Sequence, residues 1–282
     1  MKKNEYFDSE EEAYSVALIG LSKFQYLTKL IDTEKLKEAW HSKVIKNGLN
    51  KYFNPNYPFN IFTLCALAGK VKLNNGDFMY YDELLTRIDI SLKKLIKCEG
   101  IEKFSHKLRN PEGLQFHSTC SELFLAEYFL EQGNAITFEI PFIVIDFNGK
   151  KHNKDMDMLV SNEKGSCLFE VYNPIDSFDE SGFLEADPEH FLQVVHNKID
   201  KKFLPLEMKE VKGISSDIIF AINIHFCDTL ITALNTPFKN NYSELIIRLE
   251  SIKNYSKIIK KIFLFENNSF EPLNPIKVYG YI

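Results

Sequence analysis

The chain has 282 residues, 45% hydrophobic and 26% charged, which suits one large domain or two small ones and argues against a disordered polymer. A formal net charge of −5 and a pI near 5.9 argue against a passive nucleic-acid coat, while an enzyme that touches nucleic acid along one local strip stays compatible with them. Mean hydropathy is −0.21, and no apolar run has the length needed to cross a bilayer.

The opening stretch MKKNEYFDSEEEAY turns acidic before any apolar segment, unlike a secretory signal peptide. The five cysteines (Cys65, Cys98, Cys120, Cys167, Cys227) are scattered singly, with no CxxC pair on which to build a zinc site. The expectation is a reduced, cytoplasmic protein with no membrane contact. Helical spacing predicts helices over Ala13–Ile31 and Thr33–Ile45, with Asp32-Thr33 as turn and cap. Asn54 to Pro58 reads as a break, and Lys70–Tyr81, with Asn75-Gly76 at its centre, reads as a small hairpin. Asp82–Lys97 returns to helical spacing.

From Ser118 the texture changes. Ser121–Gln132 reads as a helix stopped by Gly133. Three strand candidates follow, Ala135–Phe147, Asp157–Ser161 and Ser166–Tyr172, with glycines in the connections. Asn173–Asp187 is an acidic loop. Pro188 opens a helix over about Glu189–Phe203. Asp217–Ile224 is almost continuously apolar, as in a strand buried on both faces. A helical stretch over Tyr242–Tyr255 and a strand at Lys261–Glu266 complete the order. These elements describe a mixed α/β (α+β) fold, a mixed sheet flanked by helices. The domain expectation is a mainly helical region over 1–110 and a second domain over 111–282.

Chemistry concentrates in Lys154-Asp155-Met156-Asp157-Met158 and in Leu168-Phe169-Glu170-Val171-Tyr172. Side chains alternate along a strand, so Asp155, Asp157 and Leu159 share one face, as do Leu168, Glu170 and Tyr172. If the two strands pair through the turn near Asn162–Gly165, Asp157 and Glu170 converge. Two carboxylates in an apolar strand pair are costly without positive charge between them, and Mg²⁺ or Mn²⁺ answers that need with oxygen ligands. The plainer readings stand beside it: Asp155 facing water, and Glu170 buried in a structural ion pair. His152 and Lys150-Lys151 fall in the turn before Asp155. With Lys198 to Lys202 they would make a basic rim around an acidic centre. His41, His106, His117 and His225 have no evident carboxylate or cysteine companion. Walker A, GxSxG, HExxH and Rossmann glycine patterns are absent.

Glu122 in a helix ending near Gly133, Asp157 opening a strand and Glu170-Val171-Tyr172 on the next resemble the PD-(D/E)XK nuclease superfamily, the restriction-endonuclease-like fold. SELFLAEYFLEQGNAITFE is similar to its first core helix and strand, and DMDMLVSNEKGSCLFEVYN to its central hairpin. The resemblance covers Ser118 to about Glu266, and its specificity lies in the order and spacing of short motifs. It implies metal binding by Asp157 and Glu170, with Glu122 binding or orienting the ion and the Val171 carbonyl as a further ligand. The superfamily places a lysine two positions after the glutamate, where this chain has Tyr172, neutral near pH 7. A lysine migrated onto the following helix would replace it, Lys198 first and Lys201 behind it, with Gln193 contacting phosphate or substrate.

The implied function is a Mg²⁺- or Mn²⁺-dependent nuclease acting on DNA in preference to RNA, in restriction or phage defence. The rival is a degenerate nuclease fold kept as a binding or assembly module. Either leaves room for a homo-oligomer or a protein partner.

Overall fold

The computed structural model describes residues 6–47, 53, 60–74, 79–110, 113–145, 148–174, 188–203, 210–212, 216–224, 239–255, 258–267 and 276–282. The chain divides into two compact units, one reaching to Glu127 and the other comprising residues 128–267 and 276–282. The divide falls inside a helix.

The first unit is helical: α1 Glu10–Leu21, α2 Gln25–Leu30, α3 Thr33–Asn47, α4 Ile61–Asn74, α5 Met79–Leu95, α6 Ile101–Leu108 and the larger part of α7, Gly113–Glu131. Ser9 caps α1 by accepting from the Glu12 N–H, and three glutamates fill its first turn, where the helix dipole favours negative charge. The helix expected over Ala13–Ile31 is two helices, broken at Ser22–Phe24. The cap for α2 comes from far along the chain: Asp89 Oδ1 accepts the N–H groups of Tyr26 and Leu27, each at 2.7 Å. Asp32 caps α3 as expected, accepting from Glu34 and Lys35.

The hairpin expected over Lys70–Tyr81 is not formed. Lys70–Asn74 ends α4 and Met79–Tyr81 opens α5, while Asn75-Gly76 lies outside the described residues, as does the break expected at Asn54 to Pro58. Every residue from Ile61 through Ala68 is buried, the polar Thr63 included, and Asn60 and Thr63 cap each other reciprocally at the start of the run. A nucleated helix buried on all sides outweighs the short alternation KVKL. Helices α1 and α4 meet at Gly20 and Gly69. A Cβ built on Gly20 overlaps the Cys65 carbonyl, and one built on Gly69 overlaps the Val16 carbonyl. Glu127, near the end of this unit, is buried among Arg87 and Lys94, each at 2.6 Å, and Ser91 at 2.7 Å.

The second unit holds a seven-stranded mixed sheet in the order β4-β1-β2-β3-β5-β6-β7, with β1 Ala135–Ile145, β2 Lys151–Asn162, β3 Gly165–Tyr172, β4 Glu210–Lys212, β5 Asp217–Asn223, β6 Ile259–Glu266 and β7 Lys277–Tyr281. Strands β1, β2 and β3 pair antiparallel, β3, β5 and β6 parallel, and the short edges β4 and β7 antiparallel. Gly133, in the left-handed region at φ +81°, ends α7: the Asn134 N–H reaches back to the Phe129 carbonyl and that of Gly133 to the Leu130 carbonyl, a Schellman turn that delivers the chain into β1.

Helices α8 (Pro188–Phe203) and α9 (Lys239–Tyr255) complete this unit. Phe191, Val195 and Ile199 of α8 and Leu249 of α9 bury with Leu168, Phe220, Ile222 and Ile262 of the sheet. Phe129, in the last turn of α7, packs on Phe169 and Phe263, with ring centroids 4.9 and 5.8 Å away. Phe169 alternates with Leu168 and Glu170 along β3, so the aromatic contact and the α8 core use opposite faces of the sheet. The chain thus has the mixed sheet flanked by helices that the sequence predicts. Strand β2 starts earlier than expected and absorbs Lys151 and His152, which pair with Ile145 and Val144 where a turn was expected. No helix among the described residues is long and apolar enough to cross a membrane.

Candidate metal centre

Strand register builds the site. Rungs Phe138↔Met158 and Ile140↔Met156 bracket Glu139 and set it opposite Asp157. Between β2 and β3 the last rung on this side is Met158↔Phe169, which puts Asp157 in line with Glu170. Here β2 and β3 part. The next main-chain donor, the Val171 N–H, bonds to Asp157 Oδ2 at 2.8 Å where a strand carbonyl would otherwise receive it. Beyond this point β3 keeps its parallel rungs to β5 through Tyr172, and β2 keeps its antiparallel rungs to β1 through Lys151. The fork between two well-held strands therefore carries the carboxylates.

Asp157 is 8% exposed and Glu170 1%. A carboxylate oxygen of Glu139 and one of Asp157 lie within 4.8 Å of each other. Glu139 has φ +54°, a left-handed conformation unusual for a side-chain-bearing residue in a strand and costing about 1 kcal/mol or more. Glu139 is a site residue that sequence reading missed. Its signal was nonetheless present: it interrupts the apolar run ITFEIPFIVI as Glu170 interrupts CLFEVY.

Helix α8 supplies the positive charge. Lys202 Nζ stands 2.8 Å from Glu170 Oε2, and Lys198 Nζ, one turn earlier, 3.5 Å from Oε1. Lys202 also donates to the Asp155 carbonyl at 2.7 Å, while the Asp155 side chain itself is exposed, as its plainer reading held. Burial and the neighbouring Asp157 charge push the Glu170 carboxyl up to about 7, against the opposing pull of Lys202 and Lys198. Lys198 also lies 5.5 Å from the centre of the Tyr172 ring, which stacks on Phe220. Tyr172 occupies the position where the nuclease pattern has its lysine, and Lys198 sits beside both it and Glu170.

Lys201 is exposed, and its neighbour Lys202 makes the Glu170 contact. Gln193 is exposed on α8, bonds to Asn197 at 3.5 Å and lines a cavity of about 400 Å³ with Glu189 of α8 and Arg248 of α9. Val171 is buried, with its N–H committed to Asp157. Glu122 is a buried residue of the first unit, where its Oε2 takes Lys107 of α6 at 2.6 Å.

The donor set is all oxygen and the carboxylates are crowded and held on neighbouring strands, with Asp157 and Glu170 buried and Glu139 half-buried. It fits a hard divalent cation such as Mg²⁺ or Mn²⁺ better than a soft one. No family model, curated protein or solved structure matches this chain.

Proposed function

We propose that the chain is a Mg²⁺- or Mn²⁺-dependent phosphodiesterase, a nuclease with the restriction-endonuclease-like arrangement, acting on DNA in preference to RNA. The observation that carries the reading is the buried juxtaposition of Asp157 and Glu170 at the fork of β2 and β3, with two lysines of α8 on Glu170. Asp157, Glu170 and Glu139 would hold the ion, with the Val171 carbonyl as the further ligand that the resemblance implies. A bound divalent cation supplies an activated water and charge neutralisation at the phosphate.

The chain's own groups do the rest. The Asp157 carboxylate is oriented by the Val171 N–H, which donates to its Oδ2 at 2.8 Å. Lys198 provides the fixed positive charge that Tyr172 lacks, held near the site by Glu170 and the Tyr172 ring. The Tyr172 hydroxyl can donate a hydrogen bond to a phosphate oxygen. Gln193 and Lys201, both exposed on α8, serve the flanking backbone of the substrate.

One observation favours the binding-module alternative. Lys202 and Lys198 together already answer the Glu170 charge, as expected of a site that has become a structural ion pair. Cleavage assays with Mn²⁺ on single-stranded DNA, duplex DNA and RNA separate the two. The enzyme reading expects wild-type cleavage, its loss in Asp157→Asn, and a fall of about a hundredfold or more in Lys198→Ala at unchanged melting temperature. Tyr172→Phe loses less, because it removes a hydrogen bond and no charge. Metal-independent binding of nucleic acid or protein without cleavage supports the module.

A further inference from the structure

Two partners of the Lys202 ammonium matter here. One is Glu170 Oε2, on a side chain only 2% exposed, and another is the main-chain carbonyl of Asp155. They come from β3 and β2 at the point where those strands part. A buried carboxylate oxygen and a main-chain carbonyl are donors of the type a hard divalent cation collects. The Lys198 contact differs. It is longer, at 3.5 Å, and goes to the other oxygen, Oε1. Lys202 also has a way out: its side chain is 20% exposed and carries its charge on a flexible four-carbon stem.

We infer that Lys202 is a resident cation: its ammonium occupies a cation position bounded by Glu170 Oε2 and the Asp155 carbonyl, and a divalent ion takes that position by displacing it. The inference rests on the metal-site reading above and deepens it, naming the Asp155 carbonyl as an oxygen donor and Lys202 as the ion's competitor. Glu170 then exchanges one positive partner for another, and the buried charge is answered in both states. Once displaced, the Lys202 ammonium is released at the rim of the site, where a phosphate backbone would meet it.

The test is Mn²⁺ binding to the full chain, followed by the electron paramagnetic resonance of free Mn²⁺, for wild type, Lys202→Met, Lys202→Gln, Lys198→Met and Glu170→Gln. Lys202→Met keeps most of the stem and removes the competing charge, so Mn²⁺ should bind on the order of tenfold more tightly. Lys202→Gln should move in the same direction, and Lys198→Met should change affinity less than either. Glu170→Gln should weaken binding.

Unchanged or weaker Mn²⁺ binding in a folded Lys202→Met or Lys202→Gln overturns the resident-cation assignment while leaving the metal site standing. Should both neutral variants fail to fold, Lys202 is an indispensable structural tie and the assignment is equally overturned. Absence of Mn²⁺ binding in wild type and in every variant removes the metal-site reading itself.

Discussion

Glu170 concentrates the physical tension of the site in one side chain. It is buried beside another carboxylate, so its neutral form is favoured and its ionisation moves up to about 7. A folded-state value above that of the unfolded chain means that the protonated group favours folding. That contribution is present below the ordinary glutamate value and is lost as pH rises through about 7. In the absence of divalent ions, stability should therefore fall between about pH 5 and pH 8, by on the order of 3 kcal/mol from this group. Chemical denaturation across that window checks it: Glu170→Gln should flatten the dependence, and a slope unchanged in the variant would assign it to other groups. Mn²⁺ affinity should rise over the same interval, because binding requires the carboxylate form. Sequence alone flagged Glu170 through its break in an apolar run, but the same cue at Glu139 was passed over. The sequence also singled out the lysine-rich helix, with Lys198 first, which stands 3.5 Å from Glu170, and Lys201 behind it, where Lys202 makes the closer contact, because one residue of helical phase is decided by packing on the sheet.

At the scale of elements, the helical unit is most sensitive where α1 crosses α4. Gly20 and Gly69 let the two backbones touch, with main-chain carbonyls lying where each Cβ would be. The opposing atoms belong to helix backbone and cannot rotate away as a side chain would. Gly20→Ala should lower stability by about 2 kcal/mol or more in spite of the better helix propensity of alanine, and Gly69→Ala should do the same. A urea midpoint that rises in either variant would mean that the helices separate freely.

The elements also show what a single sequence can disclose. Strands β1, β2, β3 and β5 and helix α8 were legible because alternation, apolar runs and Pro188 are local signals. The break before α2 was not, because its cap is Asp89, far along the chain. The Lys70–Tyr81 stretch misled because a turn dipeptide between short alternating segments resembles a hairpin, while burial of the preceding helix settles the matter. The edge strands β4 and β7 carry too few residues to stand out before a partner strand is known.

The sheet of the second unit changes character at β3. On one side, β1, β2 and β3 are consecutive in sequence and pair antiparallel. On the other, β5 joins β3 in parallel only after the chain has passed through α8, and β6 joins β5 in parallel only after α9. The first set closes short loops and the second closes long ones, so the two differ in the chain entropy spent before any contact forms. The meander is therefore the natural folding nucleus. Ile136→Val in β1 should mainly slow refolding, whereas Ile262→Val in β6 should mainly speed unfolding, as read from the two limbs of a chevron plot. Similar partition of both effects would remove the meander from that role. The consequence for the site is one of timing. Glu139, Asp157 and Glu170 are gathered by strands that meet early, while Lys198 and Lys202 come with a helix that docks late. During refolding the negative charges assemble before their partners arrive, so the nucleus forms against its own repulsion. Refolding in mild acid should outpace refolding at neutral pH, even after correction for the difference in final stability.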